Sequence, residues 1–174
     1  CHAAHAGARN NLLVQDEKAL CATCHETTVA AADPVTQHAP VQNGECSACH
    51  DPHAADAASG LFRKQGAELC FSCHTDLRDS VATGVVHAPV RNGECRTCHA
   101  GHATKGADGR VAVKAACTSC HDVAAGELKQ AHKEFDVGAT SCTSCHDPHR
   151  SATRGLLRRV AHPPFAEGGS TTGH

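Results

Sequence analysis

Six pentads of the form Cys-x-x-Cys-His punctuate the chain, beginning at Cys21, Cys46, Cys70, Cys95, Cys117 and Cys142. They take up twelve of the thirteen cysteines and six of the sixteen histidines, so any fold must serve them first. Between alternate pentads the steps are 49 (21 to 70), 47 (70 to 117), 49 (46 to 95) and 47 (95 to 142). The chain is therefore a repeat of a two-pentad unit, and that period outranks any local secondary-structure signal.

The stretch from His38 to His74 shows the unit whole. It reads His38-Ala39-Pro40, an Asn-Gly turn, Glu45 and the pentad Cys46 to His50, then the tail Asp51-Pro52-His53, a linker with Gly60-Leu61-Phe62-Arg63, and the pentad Cys70 to His74. His87-Ala88-Pro89-Val90 into Cys95 nearly duplicates its opening, and His132-Lys133-Glu134-Phe135 into Cys142 is a looser copy. The repeats run approximately over 1–37 (partial), 38–86, 87–131 and 132–174, the last with a degenerate second half. Cys1-His2-Ala3-Ala4-His5 repeats the three-residue step of His50 to His53, and Asn11-Leu12-Leu13 stands to Cys21 as Gly60-Leu61-Phe62 stands to Cys70. Cys1 and His2 thus read as the tail of a pentad; the rival is a lipid-bearing first residue. At the other end His162 to His174 keeps the twelve-residue step of His38 to His50, but Ser170 and Gly173 occupy the cysteine positions, so no thioether can form there.

Composition then says what the repeats cannot be built around. With four Phe, no Trp, Tyr or Met and a mean hydropathy of −0.34, side chains alone cannot fill an interior at normal density. Something else must supply the core. A formal charge of −2 without a basic stripe excludes nucleic-acid binding as an expectation. No apolar run reaches the length of a membrane span. Short helices are expected over Asp16 to His25, before Cys70 and from Ala124 to Phe135, with turns at Asp-Pro and Asn-Gly steps and little or no β-sheet. The expected fold is mostly irregular with short α-helices, a single elongated array over 1–174.

The chemistry of the pentad supplies the missing core. Two thiols one turn apart add to the two vinyl groups of a haem, and the adjacent His ligates its iron from one face. Zinc is the competing reading, since paired Cys-x-x-Cys motifs also build tetrahedral sites. Zinc does not require a His after every second Cys, and six out of six by chance is roughly a one-in-a-million event. A thioredoxin-like pair would use one motif in a βαβ setting, and disulfides leave the histidines unexplained.

With these residues in view, the chain resembles the multihaem c-type cytochromes, specifically those built from doubled C-x-x-C-H modules. The resemblance rests on the six pentads, their x-Pro-His or x-x-His tails and the His-x-Pro approaches. It implies closely stacked haems passing electrons in series, held outside the cytoplasm in the periplasm or at the cell surface.

The thioether positions are Cys21, Cys24, Cys46, Cys49, Cys70, Cys73, Cys95, Cys98, Cys117, Cys120, Cys142 and Cys145, with Cys1 as a thirteenth candidate. Proximal ligands are His25, His50, His74, His99, His121 and His146, with His2 as a further candidate. Met is absent, which excludes His/Met ligation. Ten other histidines remain for six irons, and the expected distal set is His5, His38, His53, His87, His102 and His132, with His149 and His162 in reserve. Because three residues reach at most roughly 10 Å, His53 is not expected opposite His50 on one iron. The expected pairing gives His38 to the haem at Cys46, His87 to Cys95 and His132 to Cys142. The tail histidines cross over, His5 to the haem at Cys21, His53 to Cys70 and His102 to Cys117.

The expected function is electron transfer through six covalently bound c haems, with a seventh at a chain end or a subunit interface. The expected partners are other redox proteins or copies of the same chain, as in a filament. The alternative is a multihaem reductase for nitrite, hydroxylamine or a sulfur oxyanion, which needs one iron with an open position; no pentad has Lys in place of His to mark one. A structural or metal-storage module is the third class. No catalytic residue is expected.

Overall fold

A computed structural model describes residues 1–30, 37–53, 60–102 and 113–158. It divides into two compact units, one of Cys1–Gln65 with His99–Val111 and one of Gly66–Cys98 with Ala112–His174. The degenerate copy at Ser170 to His174, and His162 with it, lie outside the described residues.

In the first unit, α1 spans Glu17–Ala30. Glu17 in its first turn complements the helix dipole, and Ala19, Leu20 and Ala22 are strong helix formers. The helix was expected to end at His25; instead the backbone departs from helical angles there (φ −113°, ψ 40°) and the helix resumes. The short α2, Ala39–Asn43, starts after His38 with Pro40 in its first turn, where a missing N–H costs nothing, and ends at Gly44 in the left-handed region (φ 80°). A 3₁₀ turn over Cys46–Ala48 follows at once.

The end of α2 is fastened to α1. Lys18 Nζ donates to the Gln42 carbonyl at 3.0 Å, Glu17 accepts from the Ser47 backbone N–H and from Ser47 Oγ at 3.2 Å. Gly44 makes this approach possible, since a Cβ there would lie 2.6 Å from Lys18 Cβ. Gly93 repeats the device, with φ 75° and a Cβ position 3.1 Å from the Ala67 nitrogen. Gly44→Ala combines a left-handed penalty with a clash against backbone-proximal carbon, and is expected to cost about 1–3 kcal/mol. Thermal denaturation of the haem-loaded protein checks it, and an unchanged midpoint would contradict the packing.

In the second unit, α3 (Ala67–Phe71) and α4 (Thr75–Val81) are followed by β1 (Val85–Val86) and α5 (Ala88–Arg91), which opens on His87 with Pro89 in its first turn. Then come α6 (Val113–Thr118), α7 (Gly126–Ala131) and β2 (Arg150–Ser151). The antiparallel pairing of Val85 with Ser151 and Val86 with Arg150 makes a two-stranded ribbon, in keeping with the expected scarcity of sheet. The helix expected from Ala124 to Phe135 is the shorter α7, and α4 was not anticipated.

The described residues hold almost no side-chain core. Phe71 is the one buried apolar residue, Ser151 the one buried polar one, and no described side chain falls below 2% exposure. Backbone turns, not apolar faces, hold these units as they stand.

Candidate cofactor sites

Four of the pentads close into a turn by the same bond. The His backbone N–H donates to the carbonyl of the first Cys from His50 to Cys46 at 3.0 Å, His74 to Cys70 at 2.9 Å, His121 to Cys117 at 2.9 Å and His146 to Cys142 at 2.9 Å. One such turn carries both sulfurs and the imidazole out from a single short segment.

The pentads fall into two structural classes. Those of Cys21, Cys70 and Cys117 begin inside α1, α3 and α6. Those of Cys46, Cys95 and Cys142 begin as 3₁₀ turns. In two places the helical member of one copy packs on the 3₁₀ member of the next, with Cys21 beside Cys46 and Cys117 beside Cys142. None of the thirteen cysteines is joined in a disulfide, and none is fully buried. Burial first, then the neighbouring Cys21 thiol and Glu17, push the Cys46 thiol up to about 11. Burial and Cys142 raise Cys117 in the same way.

A second device aims the imidazoles. His50 Nδ1 lies against the Gly60 carbonyl, His146 Nδ1 is 2.6 Å from the Gly155 carbonyl and His2 Nδ1 is 2.7 Å from the Asn11 carbonyl. A carbonyl can only accept, so Nδ1 carries the proton and Nε2 keeps its lone pair for a metal. Each anchor belongs to a small hairpin in which the pentad His bridges an apolar linker residue: His2 with Leu13, His50 with Phe62, His146 with Leu157. The chain turns back through left-handed residues, Asn11 and Leu12, Gly60 and Leu61, Gly155 and Leu156. Arg63 reaches from the same linker to the Ser47 carbonyl at 2.9 Å, and Arg158 to the Thr143 carbonyl at 2.8 Å. These two arginines brace the pentad turn. The repeated Gly/Asn-Leu-Leu/Phe linkers stand out in the sequence as alignment landmarks, but nothing there shows that their carbonyls set the histidine tautomer.

The remaining histidines come to the pentads in an order that agrees with the expected one at His132, which lies beside His146, and differs from it elsewhere. The ring of His102 lies 5.9 Å from that of His50, and that of His87 lies 6.2 Å from His121. His53 lies 5.7 Å from His2, and His132 lies 6.0 Å from His146. The expected pairing had put His38 with His50, His102 with His121, His87 with the Cys95 haem and His53 with the Cys70 haem. The difference has a physical cause. His38 and His87 each begin a short helix that separates them from their own pentads, and their N–H groups are taken by tail carbonyls: His38 bonds His102 at 3.0 Å and His87 bonds His149 at 3.1 Å. His87 Nδ1 is also 3.1 Å from the Pro148 carbonyl. The tail turns are fixed locally, Asp51 accepting from the His53 N–H at 3.0 Å and Asp147 from the His149 N–H at 2.9 Å. Burial, with His50 and His38 adding to it, lowers His102, which keeps that imidazole neutral and able to ligate. His5 is exposed in the turn after His2, and His25 is exposed on α1 at its kink.

Two imidazoles on one iron put their ring centres about 6 Å apart, given metal–nitrogen bonds of roughly 2 Å. Ring packing alone spans similar distances; what singles these pairs out is that each joins a pentad-type His to a His outside the pentads. Among the described residues no three or more His, Cys, Asp and Glu side chains gather into a cluster able to hold a metal ion, whereas a tetrahedral zinc site needs four ligands together. Reduced thiols on one turn, an Nε2 freed by its Nδ1 bond and the lack of a side-chain core all fit haem c.

The doubled CXXCH motif profile matches residues 1–30, 38–79, 87–126 and 132–170, nearly the whole chain. The chain belongs to the doubled CXXCH motif family. It is a multihaem c-type cytochrome, which binds haem c and transfers electrons. No curated protein and no solved structure matches it. Among the described residues of this cytochrome no helix is long and apolar enough to cross a membrane.

Proposed function

We propose that the cytochrome carries six bis-histidine haems, one per pentad, and conducts electrons along them as a segment of a respiratory or extracellular chain. The observation that carries this is the recurrence of pentad imidazoles facing non-pentad imidazoles at 5.9 to 6.2 Å, in His50 with His102, His87 with His121 and His132 with His146. When bound, haem supplies the one-electron iron couple. The chain's own residues do the rest. Cys46 and Cys49, and their equivalents in the other pentads, hold the porphyrin edge. His50, anchored on Gly60, and His146, anchored on Gly155, present a fixed Nε2. His102, His87 and His132 are the proposed sixth ligands. A filled sixth position excludes substrate and keeps reorganisation small on electron transfer. His/His ligation without Met favours low potentials.

The tail histidine of one copy faces the pentad of the copy before it, as His102 faces His50. Consecutive copies are thus interlocked. Export beyond the cytoplasmic membrane, and assembly with other redox proteins or further copies into a filament, complete the reading on the strength of the family resemblance. Electron paramagnetic resonance of the oxidised protein, with haem counted by intact mass, checks it: six or more haems, all low-spin. A high-spin iron that responds to nitrite would favour the reductase alternative.

A further inference from the structure

We infer that Cys1 and His2 form a further haem site in unit one, with His53 of the next copy as its sixth ligand. This inference rests on the haem reading above and extends it to a Cys-His pair outside the six pentads counted there. Three independent features carry it.

First, His2 is held like His50 and His146, the pentad histidines with the same hairpin. Its Nδ1 is 2.7 Å from the Asn11 carbonyl. Its backbone bridges Leu13 as His50 bridges Phe62 and His146 bridges Leu157. The hairpin bonds are present as well, Ala3 N–H to the Leu12 carbonyl at 2.6 Å and Val14 N–H to the Cys1 carbonyl at 2.9 Å. They correspond to Asp51 to Leu61 at 2.8 Å and Arg63 to Cys49 at 2.9 Å. A surface histidine has no need of this hairpin. A proximal ligand does, because the bond at Nδ1 releases Nε2.

Second, His53 meets His2 as His102 meets His50. The ring separations are 5.7 and 5.9 Å, and the interplanar angles 25° and 24°. In each case a tail histidine comes from the following copy, 51 residues away in sequence (2 to 53) and 52 residues away (50 to 102). Asp51 Oδ1 lies 3.8 Å from His53 Nδ1, on the side away from Nε2.

Third, Cys1 is an exposed free thiol directly before His2, where the second pentad cysteine stands elsewhere. Attachment is an addition: the Cys1 S–H adds across one haem vinyl double bond, sulfur bonding one carbon and hydrogen the other. No electron is gained or lost, so no oxidant is required.

Protease mapping of the full haem-loaded protein tests the site without reference to activity. The tryptic peptide ending at Arg9 and containing Cys1 is expected to carry the mass of one haem, making seven with the six pentads. His53→Met is expected to move one iron in seven to higher potential in a redox titration. With Cys1→Ala and His2→Ala added, six haems remain and that high-potential iron is gone. A bare Cys1 peptide overturns the inference, as does a high-potential iron that persists in the combined variant, for His53 would then serve another haem. Both results leave the pentad haems standing. Absence of haem from the peptides containing Cys46, Cys70 and Cys142 would instead defeat the underlying haem reading.

Discussion

Produced without haem, the chain will lose the fold described above. Its far-UV circular dichroism is expected to be that of a largely disordered chain, and the backbone amides of Asp51 and Arg63 to exchange at nearly the unprotected rate. In the haem-loaded protein the same amides, which close the hairpin onto Leu61 and Cys49, should be protected by at least about a hundredfold. The reason is the interior. One Phe and one Ser are the buried side chains among the described residues, and neither can offset the entropy of ordering so much chain. The helices are too short to persist alone, the longest having 14 residues. Haem surface must therefore provide the apolar burial, and its thioether bonds restrict the unfolded chain as cross-links do. A haem-free chain with native-like protection would contradict this.

The second large effect concerns His102. His102→Ala is expected to open one iron in the array to a high-spin, carbon monoxide-binding state, rescued by added imidazole. Which iron opens is settled by combination. In Cys46→Ala/Cys49→Ala/His102→Ala the haem that would have lost its ligand is itself missing, so the high-spin iron disappears. If His102 served the haem at Cys117 instead, the high-spin signal would persist in the combined variant. Carbon monoxide difference spectra read both outcomes. The two assignments predict opposite results because the structure puts His102 beside His50, whereas chain order alone suggested the next pentad.

That contrast shows what the sequence could and could not disclose. The pentads, the two-pentad period and the shortage of core residues were legible, since each is a matter of residue identity and spacing. So were turn-rich structure and the near absence of sheet, of which only Val85–Val86 with Arg150–Ser151 is found among the described residues. Which imidazoles lie side by side was legible for His132 and His146 but not for the others. Their placement depends on the short helices after His38 and His87, on Gly44 letting α2 end against Lys18, and on hairpins that recur with Asn11, Gly60 and Gly155. Those linkers carry no periodic signal, because their role is to turn one carbonyl toward one imidazole. Contacts between copies were hidden too: the second pentad of one copy lies beside the first of the next at Cys21 and Cys46 and at Cys117 and Cys142. Thr75–Val81 was missed as a helix because TDLRDSV has too little apolar pattern to announce one.

If every pentad haem is ligand-saturated, the cytochrome exchanges electrons without catalysing a reaction. Protein-film voltammetry of the haem-loaded cytochrome tests it most directly. The expected result is a broad, reversible, low-potential wave whose charge corresponds to at least six electrons per chain and whose shape is unchanged by nitrite, hydroxylamine or sulfite. A catalytic current on adding any of the three would contradict it.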